Sequence, residues 1–150
     1  MDLLLWRHAE AEDGVPDGER ALTKKGRKQA AAVGGWLKTH LPRRPRIIVS
    51  PATRAQQTAS TLELPLETAR EVGVGAAVAD VLKAAGWPDE DGTVLVVGHQ
   101  PTLGRVAALL LGGAEADLSV KKGQVWWFSR RSRDGNGQVV LRAVVGPDLL

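Results

Sequence analysis

The 150-residue sequence has no cysteine. That excludes a disulfide framework, thiolate metal sites and a cysteine nucleophile. Tyrosine is missing too and phenylalanine occurs once, so a stacking platform for nucleic-acid bases would have to come from the five tryptophans. No apolar run approaches the ~20 residues that a membrane span needs. The N-terminus lacks the basic region, long apolar stretch and cleavage site of a secretory signal. Charge of one sign is scarce as well: 20 Lys and Arg face 17 Asp and Glu, a net +3. The basic clusters at 42–46 (PRRPR) and 129–133 (SRRSR) read as solvated surface. The expectation is therefore a cytoplasmic protein with no nucleic-acid and no membrane partner, its length fitting a single domain over residues 1–150.

What is present is globular in composition, with 43% hydrophobic and 25% charged residues, and not disordered. Three short apolar runs, Leu3–Trp6, Ile47–Val49 and Val94–Val97, are continuous and not alternating. Strands buried on both faces of a parallel sheet look like this. Helical spacing lies between and after them. Ala30, Val33 and Leu37 follow Thr23, a good N-cap; Val78, Val81, Leu82 and Ala85 recur at i, i+3, i+4, i+7; so do Leu103, Val106, Ala107 and Leu110, ahead of Gly112-Gly113. This alternation predicts an α/β domain with a mainly parallel sheet. Near the C-terminus QVWWFS (124–129) and QVVLRAVV (138–145) flank Asp134-Gly135 and Asn136-Gly137, which predicts a hairpin at a sheet edge. The GVGAAV stretch (73–78) has Val78 where a dinucleotide fingerprint needs its third glycine and has no clear strand before it, so it reads as a helix start.

The residues that follow each buried run carry the chemistry. Arg7 and His8 follow the first. Ser50, Pro51 and, one turn into the next helix, Arg54 follow the second. Gly98, His99, Gln100 and Pro101 follow the third. If the strands run the same way, all of these emerge at one edge, where open α/β sheets bind ligands. Ser50 fits an N-cap, and Pro51 and Pro101 fit first helical positions, so two helix N-termini should face the same point and favour an anion. Arginine forks match phosphoryl oxygens. The third histidine, His40, falls at a helix end and reads as surface. His8, Glu10, Glu12 and Asp13 match no zinc spacing, and Arg7 would oppose a cation, so no metal is expected.

The segments LLWRHAEAE (4–12), LTKKGRKQA (22–30), VSPATRAQQTA (49–59) and VVGHQPTL (96–103), in this order, resemble the histidine phosphatase superfamily, the phosphoglycerate-mutase-like fold. The short length and the RHAEA form are most similar to its SixA-type phosphohistidine phosphatases. The resemblance spans roughly the first two-thirds of the chain and implies a three-layer α/β/α architecture with a mainly parallel central sheet, to which the C-terminal hairpin read from its turn signals adds an edge. It implies a hydrolase in which His8 takes the phosphoryl group as a phosphohistidine, Arg7 and Arg54 grip its oxygens, and His99 faces it and stabilises charge. It implies no metal or organic cofactor, a phosphorylated protein or small phosphorylated substrate as partner, and inorganic phosphate as product. Ala9 stands where many relatives have glycine. Larger relatives carry a carboxylate general acid after the second strand; here Glu71 is the nearest candidate, with Glu67 and Asp80 close by, and none sits in a family motif. Two alternatives stay open: a phosphatase for a small phosphoester or phosphorylated metabolite on the same site, and a catalytically silent phosphate- or phosphopeptide-binding module.

Overall fold

The computed structural model describes residues 1–133 and 136–150. Strands β1 (Asp2–Arg7), β2 (Arg46–Val49), β3 (Glu67–Thr68), β4 (Thr93–Gly98), β5 (Val125–Arg133) and β6 (Asn136–Val145) form one sheet in the order β3-β2-β4-β1-β5-β6. The first four in this order are mutually parallel, β5 runs antiparallel to β1, and β6 returns antiparallel to β5. Helices α1 (Lys24–His40), α2 (Thr53–Ser60), α3 (Val78–Ala85) and α4 (Thr102–Gly112) pack on its two faces. Asp134 and Gly135, half of the turn signal, lie outside the described residues.

Successive strand residues point to opposite faces, and both faces are covered. Leu3, Leu5, Ile48, Val94 and Val96 pack with Val78 and Val81 of α3 and Leu103 and Val106 of α4. Leu4, Trp6, Ile47, Val49, Leu95 and Val97 pack with Val33 and Leu37 of α1 and Ala55 and Ala59 of α2. Hence the three layers, and hence the unbroken apolar runs. The predicted strands and helices are present, most with bounds shifted by a residue or two, while β5 runs four residues past the predicted end at Ser129. The exception is β3: two exposed residues paired to Ile48 and Val49, too short to leave a periodicity. The helix expected at Thr23 starts there, with the Thr23 hydroxyl accepting the Gly26 N–H. Gly26 is also where α1 meets the chain leaving β1. A Cβ at Gly26 would collide with the Glu10 carbonyl oxygen. The Thr23 N–H bonds that same carbonyl and the Gln29 side chain accepts the Glu10 N–H, so the segment after His8 is clamped to the helix.

Asp2 ties the hairpin to the parallel core. Its carboxylate is buried and accepts hydrogen bonds from Trp127 Nε1 (3.1 Å), Ser129 Oγ (2.7 Å), Arg131 Nη1 (3.3 Å) and Arg142 Nη1 (3.0 Å). Burial by itself would raise its pKa; the Ser129 and Trp127 hydrogen bonds and the two arginines outweigh burial and lower it from 3.8. The arginine side chains are 70% and 48% exposed, so solvent screens their share and the two buried donors matter more. Asp2→Ala strands those donors and should lower the unfolding free energy by about 2–3 kcal/mol in denaturant titration. Because the folded pKa is depressed, this stabilisation is present above the unfolded value of 3.8 and is lost as pH falls through the folded one. Wild type and Asp2→Ala should therefore converge in stability in acid.

Candidate active site

The parallel register brings three strand ends level. Arg7 pairs with Gly98 across β1 and β4, and Val49 pairs with Val97 across β2 and β4. Past the last rungs the His8 N–H bonds the Gly98 carbonyl (3.1 Å) and the Ser50 N–H bonds the Val97 carbonyl (3.0 Å). His8, Ser50 and His99 thus leave the sheet side by side. Arg7, His8, Arg54 and His99 line one cavity of about 290 Å³, with Arg20, Gln100 and Lys122 at its walls. This is at the small end of ligand sites. It suits a phosphoryl group and the atoms next to it.

The two imidazoles face each other, with ring centroids 5.1 Å apart. His8 Nδ1 lies 2.7 Å from the Ala9 carbonyl oxygen, which can only accept, so Nδ1 carries the proton and Nε2 is left with its lone pair. Burial, with the charges of Arg54, Arg7 and Arg20, lowers the His8 pKa to about 4 against the pull of that hydrogen bond. Burial, then the charges of His8, Arg54 and Arg7, lowers His99 to about 3. Both rings are neutral at physiological pH. His99 Nε2 is 2.7 Å from Ser50 Oγ, and its Nδ1 is buried without a partner.

The arginines are held from behind. Arg7 Nη1 donates to the Val120 carbonyl (3.0 Å). Arg54 donates from Nη1 to the Asp17 carbonyl (2.8 Å) and from Nη2 to the Asp17 carboxylate (3.1 Å). In both residues Nε is buried without a partner. The Arg54 hydrogen bond leads the causes that hold the Asp17 carboxyl below its usual range.

The sequence missed several parts of this arrangement. Asp17 lies in a short 3₁₀ turn, Asp17–Glu19, with no periodic signal. Thr58, four residues after Arg54, donates to the Arg54 carbonyl and accepts the Ala9 N–H, which ties α2 to the His8 loop. Three capping expectations need correction, and one of them is Pro51, which lies ahead of the N-cap Ala52 and not at the first helical position. Ser50 does not cap α2: the helix starts at Thr53 behind an extended Ala52, and the Ser50 hydroxyl accepts the Ala52 N–H while facing His99. Arg54 is accordingly the second helical residue. Pro101 occupies the N-cap of α4, outside its first turn. The structure also keeps Glu71 away from the imidazoles. Glu71, Glu67 and Asp80 line a different cleft of about 570 Å³ beside Arg46 and Lys83, where Glu67 is salt-bridged to Arg46 at 2.7 Å. The 3₁₀ turn Arg70–Val72 buries Val72 in the core and leaves Glu71 exposed. His40 is exposed at the end of α1, as expected. No helix is long and apolar enough to cross a membrane among the described residues.

The histidine phosphatase superfamily (branch 1) model matches residues 3–77, half of the chain. With the phosphate-sized, arginine-lined pocket at the strand ends, this shows that the chain belongs to that superfamily and is a phosphatase. Within it the chain is SixA-like. The chain is 36% identical over 132 residues to the phosphohistidine phosphatase SixA homolog of Haemophilus influenzae, covering 75% of this chain and 78% of that one. It is 31% identical over 126 residues to the phosphohistidine phosphatase SixA of Escherichia coli, covering 75% and 76%. A solved structure of the protein histidine phosphatase SixA complexed with tungstate superposes with a TM-score of 0.83 at 26% identity, over 99% of both chains.

The neutral, buried imidazoles have a measurable consequence. The ring resonances of His8 and His99 should titrate near 4 and near 3 by NMR. Both folded pKa values lie below the ordinary 6.5, so the unfolded chain binds more protons in between. Stability should accordingly fall as pH drops from 6.5 toward these values. Saturating tungstate should raise both values, since an adjacent anion favours the charged ring. Titration of both rings near 6.5 in the free protein would contradict this electrostatic picture.

Proposed function

We propose that the protein, residues 1–150 acting as one domain, hydrolyses phosphohistidine through a covalent phosphohistidine at His8. The observation that carries this reading is the His8 ring itself. Its proton is committed to the Ala9 carbonyl, and its Nε2 lone pair stands free among cations in a phosphate-sized cavity. The phosphohistidine phosphatase names of two relatives support the substrate class.

Nε2 of His8 attacks phosphorus, the bond to the leaving group breaks in line, and the phosphoryl group rests on His8. Water then attacks phosphorus, the N–P bond breaks, and inorganic phosphate leaves with the water oxygen. Charge spreads over the phosphoryl oxygens in both transition states, so positioned donors do most of the work. Arg7 and Arg54 each offer an unpartnered Nε–H. His99 offers its ring opposite His8. Losing one such donor costs on the order of 10²–10³ in rate. None of these steps calls for a metal.

The leaving group follows from the carboxylates. Asp17 is committed to Arg54 and Arg20 and holds its charge. Asp13, the one carboxylate lining the cavity among the described residues, is exposed to water. Neither is buried to hold a proton for an alkoxide. An imidazole or a nitrophenolate leaves without such help.

Three outcomes test the reading. His8→Ala should abolish turnover of a phosphohistidine peptide, and acid quenching of the wild type should trap label on His8. Near wild-type turnover in that variant would sink the nucleophile, and binding without turnover in the wild type would favour the silent module. Activity should survive EDTA; loss that a divalent metal restores would contradict a metal-free reaction. Phosphohistidine peptides and aryl phosphates should turn over at least about 10² faster than alkyl phosphates such as phosphoserine, with Glu71→Gln near wild type. Equal kcat/KM for alkyl and aryl phosphates would favour the small-phosphoester reading.

A further inference from the structure

We infer that Ser50 is a positioning residue that fixes His99 in the Nδ1–H tautomer, making a neutral ring into a hydrogen-bond donor for the transferred phosphoryl group. This rests on the phosphoryl-transfer reading of the cavity. Ser50 is fully buried and does not itself line the cavity; it acts through His99.

The inference is a count of protons. The Ser50 hydroxyl has one to give. Its oxygen accepts the Ala52 N–H at 3.2 Å, and the one acceptor within reach of its proton among the described residues is His99 Nε2 at 2.7 Å. If Ser50 donates, Nε2 must be bare, and the single proton of the neutral ring sits on Nδ1. Nδ1 is the ring atom buried without a protein partner. An oxyanion in the cavity would complete it. The opposite arrangement puts the proton on Nε2 and strands two groups: the serine hydrogen and an Nδ1 lone pair that repels an anion. Buried polar groups are rarely left so. The ring also stays neutral without an anion, since burial and the neighbouring cations hold its pKa to about 3. A neutral ring helps a phosphoryl group only as a correctly aimed donor. Free histidine prefers the Nε2–H form, so the serine reverses the intrinsic preference.

The inference also explains why a serine stands at the end of β2 without capping α2. A capping serine turns its oxygen to the helix N–H groups at N2 or N3. Here the oxygen takes the Ala52 N–H ahead of the helix, which leaves its hydrogen directed at the ring.

The test is ¹⁵N NMR of the full chain with tungstate at pH 8. His99 should show a protonated Nδ1 and a bare, hydrogen-bonded Nε2. Ser50→Ala should move the ring toward the Nε2–H form and weaken tungstate binding by roughly tenfold or more, the loss of one hydrogen bond to an anion. Ser50→Thr, which keeps the hydroxyl, should retain the Nδ1–H form. A wild-type His99 protonated on Nε2, or on both nitrogens, overturns the inference, and that spectrum needs no variant to fold. An unchanged tautomer and tungstate affinity in Ser50→Ala overturn it as well. These readouts require no turnover, so they stand apart from the trapping and substrate experiments: a protein that never forms a phosphoenzyme can still show the Nδ1–H ring.

Discussion

Buried polar groups without hydrogen-bond partners are costly, and a cluster of them gathers at one edge of this sheet. Arg7 Nε and Arg54 Nε are interior and unpartnered, and so is His99 Nδ1. Such groups normally find a protein or water partner. The residues that carry them line one small cavity, so the polar groups that the protein's own atoms leave unpaired are gathered around the space where an anion would sit. Burial first, and then the same positive charge, keeps both histidines neutral. In the proposed mechanism a cationic site and a nucleophilic imidazole are one device: the charges that would grip a phosphoryl group also help to keep the attacking ring deprotonated.

Holding that device open takes the rest of the fold. Like charges packed together repel, and each must be anchored from the side away from the cavity. Arg54 is held by the carbonyl and carboxylate of Asp17, Arg7 by the Val120 carbonyl, and the His8 loop by Thr58 and by the Thr23–Glu10 contact at the start of α1. These anchors come from separate parts of the chain and are brought into register by β1, β2 and β4. The strands in turn rest on a core closed on both faces. The hairpin closes the open side of β1 through the Asp2 carboxylate. Relatives of the SixA type share the architecture along nearly the whole chain, as the superposition with the tungstate complex shows.

The tautomers of the two rings show how local chemistry sets function. His8 uses a backbone carbonyl to place its proton on Nδ1 and free Nε2. In the arrangement inferred for His99, a side-chain hydroxyl does the reverse job of capping Nε2 so that Nδ1 can donate. Under the proposed mechanism one ring gives electrons and the other a proton contact, although both are neutral imidazoles at the ends of adjacent parallel strands.

Much of this was legible in the linear chain. Unbroken apolar runs ending in Arg7-His8, Ser50 and His99 announce strands buried on both faces with polar residues at their carboxyl ends, because burial on two faces demands continuous hydrophobicity. Parallel direction then places those ends together. The helix at Thr23, the stop at Gly112-Gly113 and the C-terminal hairpin were legible for the same reason: each depends on residues close in sequence. What the chain hid depends on contacts across it. Whether Asp17 meets Arg54, whether Ser50 turns to a helix or to His99, and which cleft receives Glu71 are settled by where loops land once the core has closed. A loop residue has no periodicity, and a serine before a proline looks like a cap in any sequence. Sequence by itself determined which side chains leave the sheet at the site, because strand burial is written in local pattern. Only the tertiary structure decided how each is oriented and protonated, because hydrogen-bond partners are chosen by distance in space.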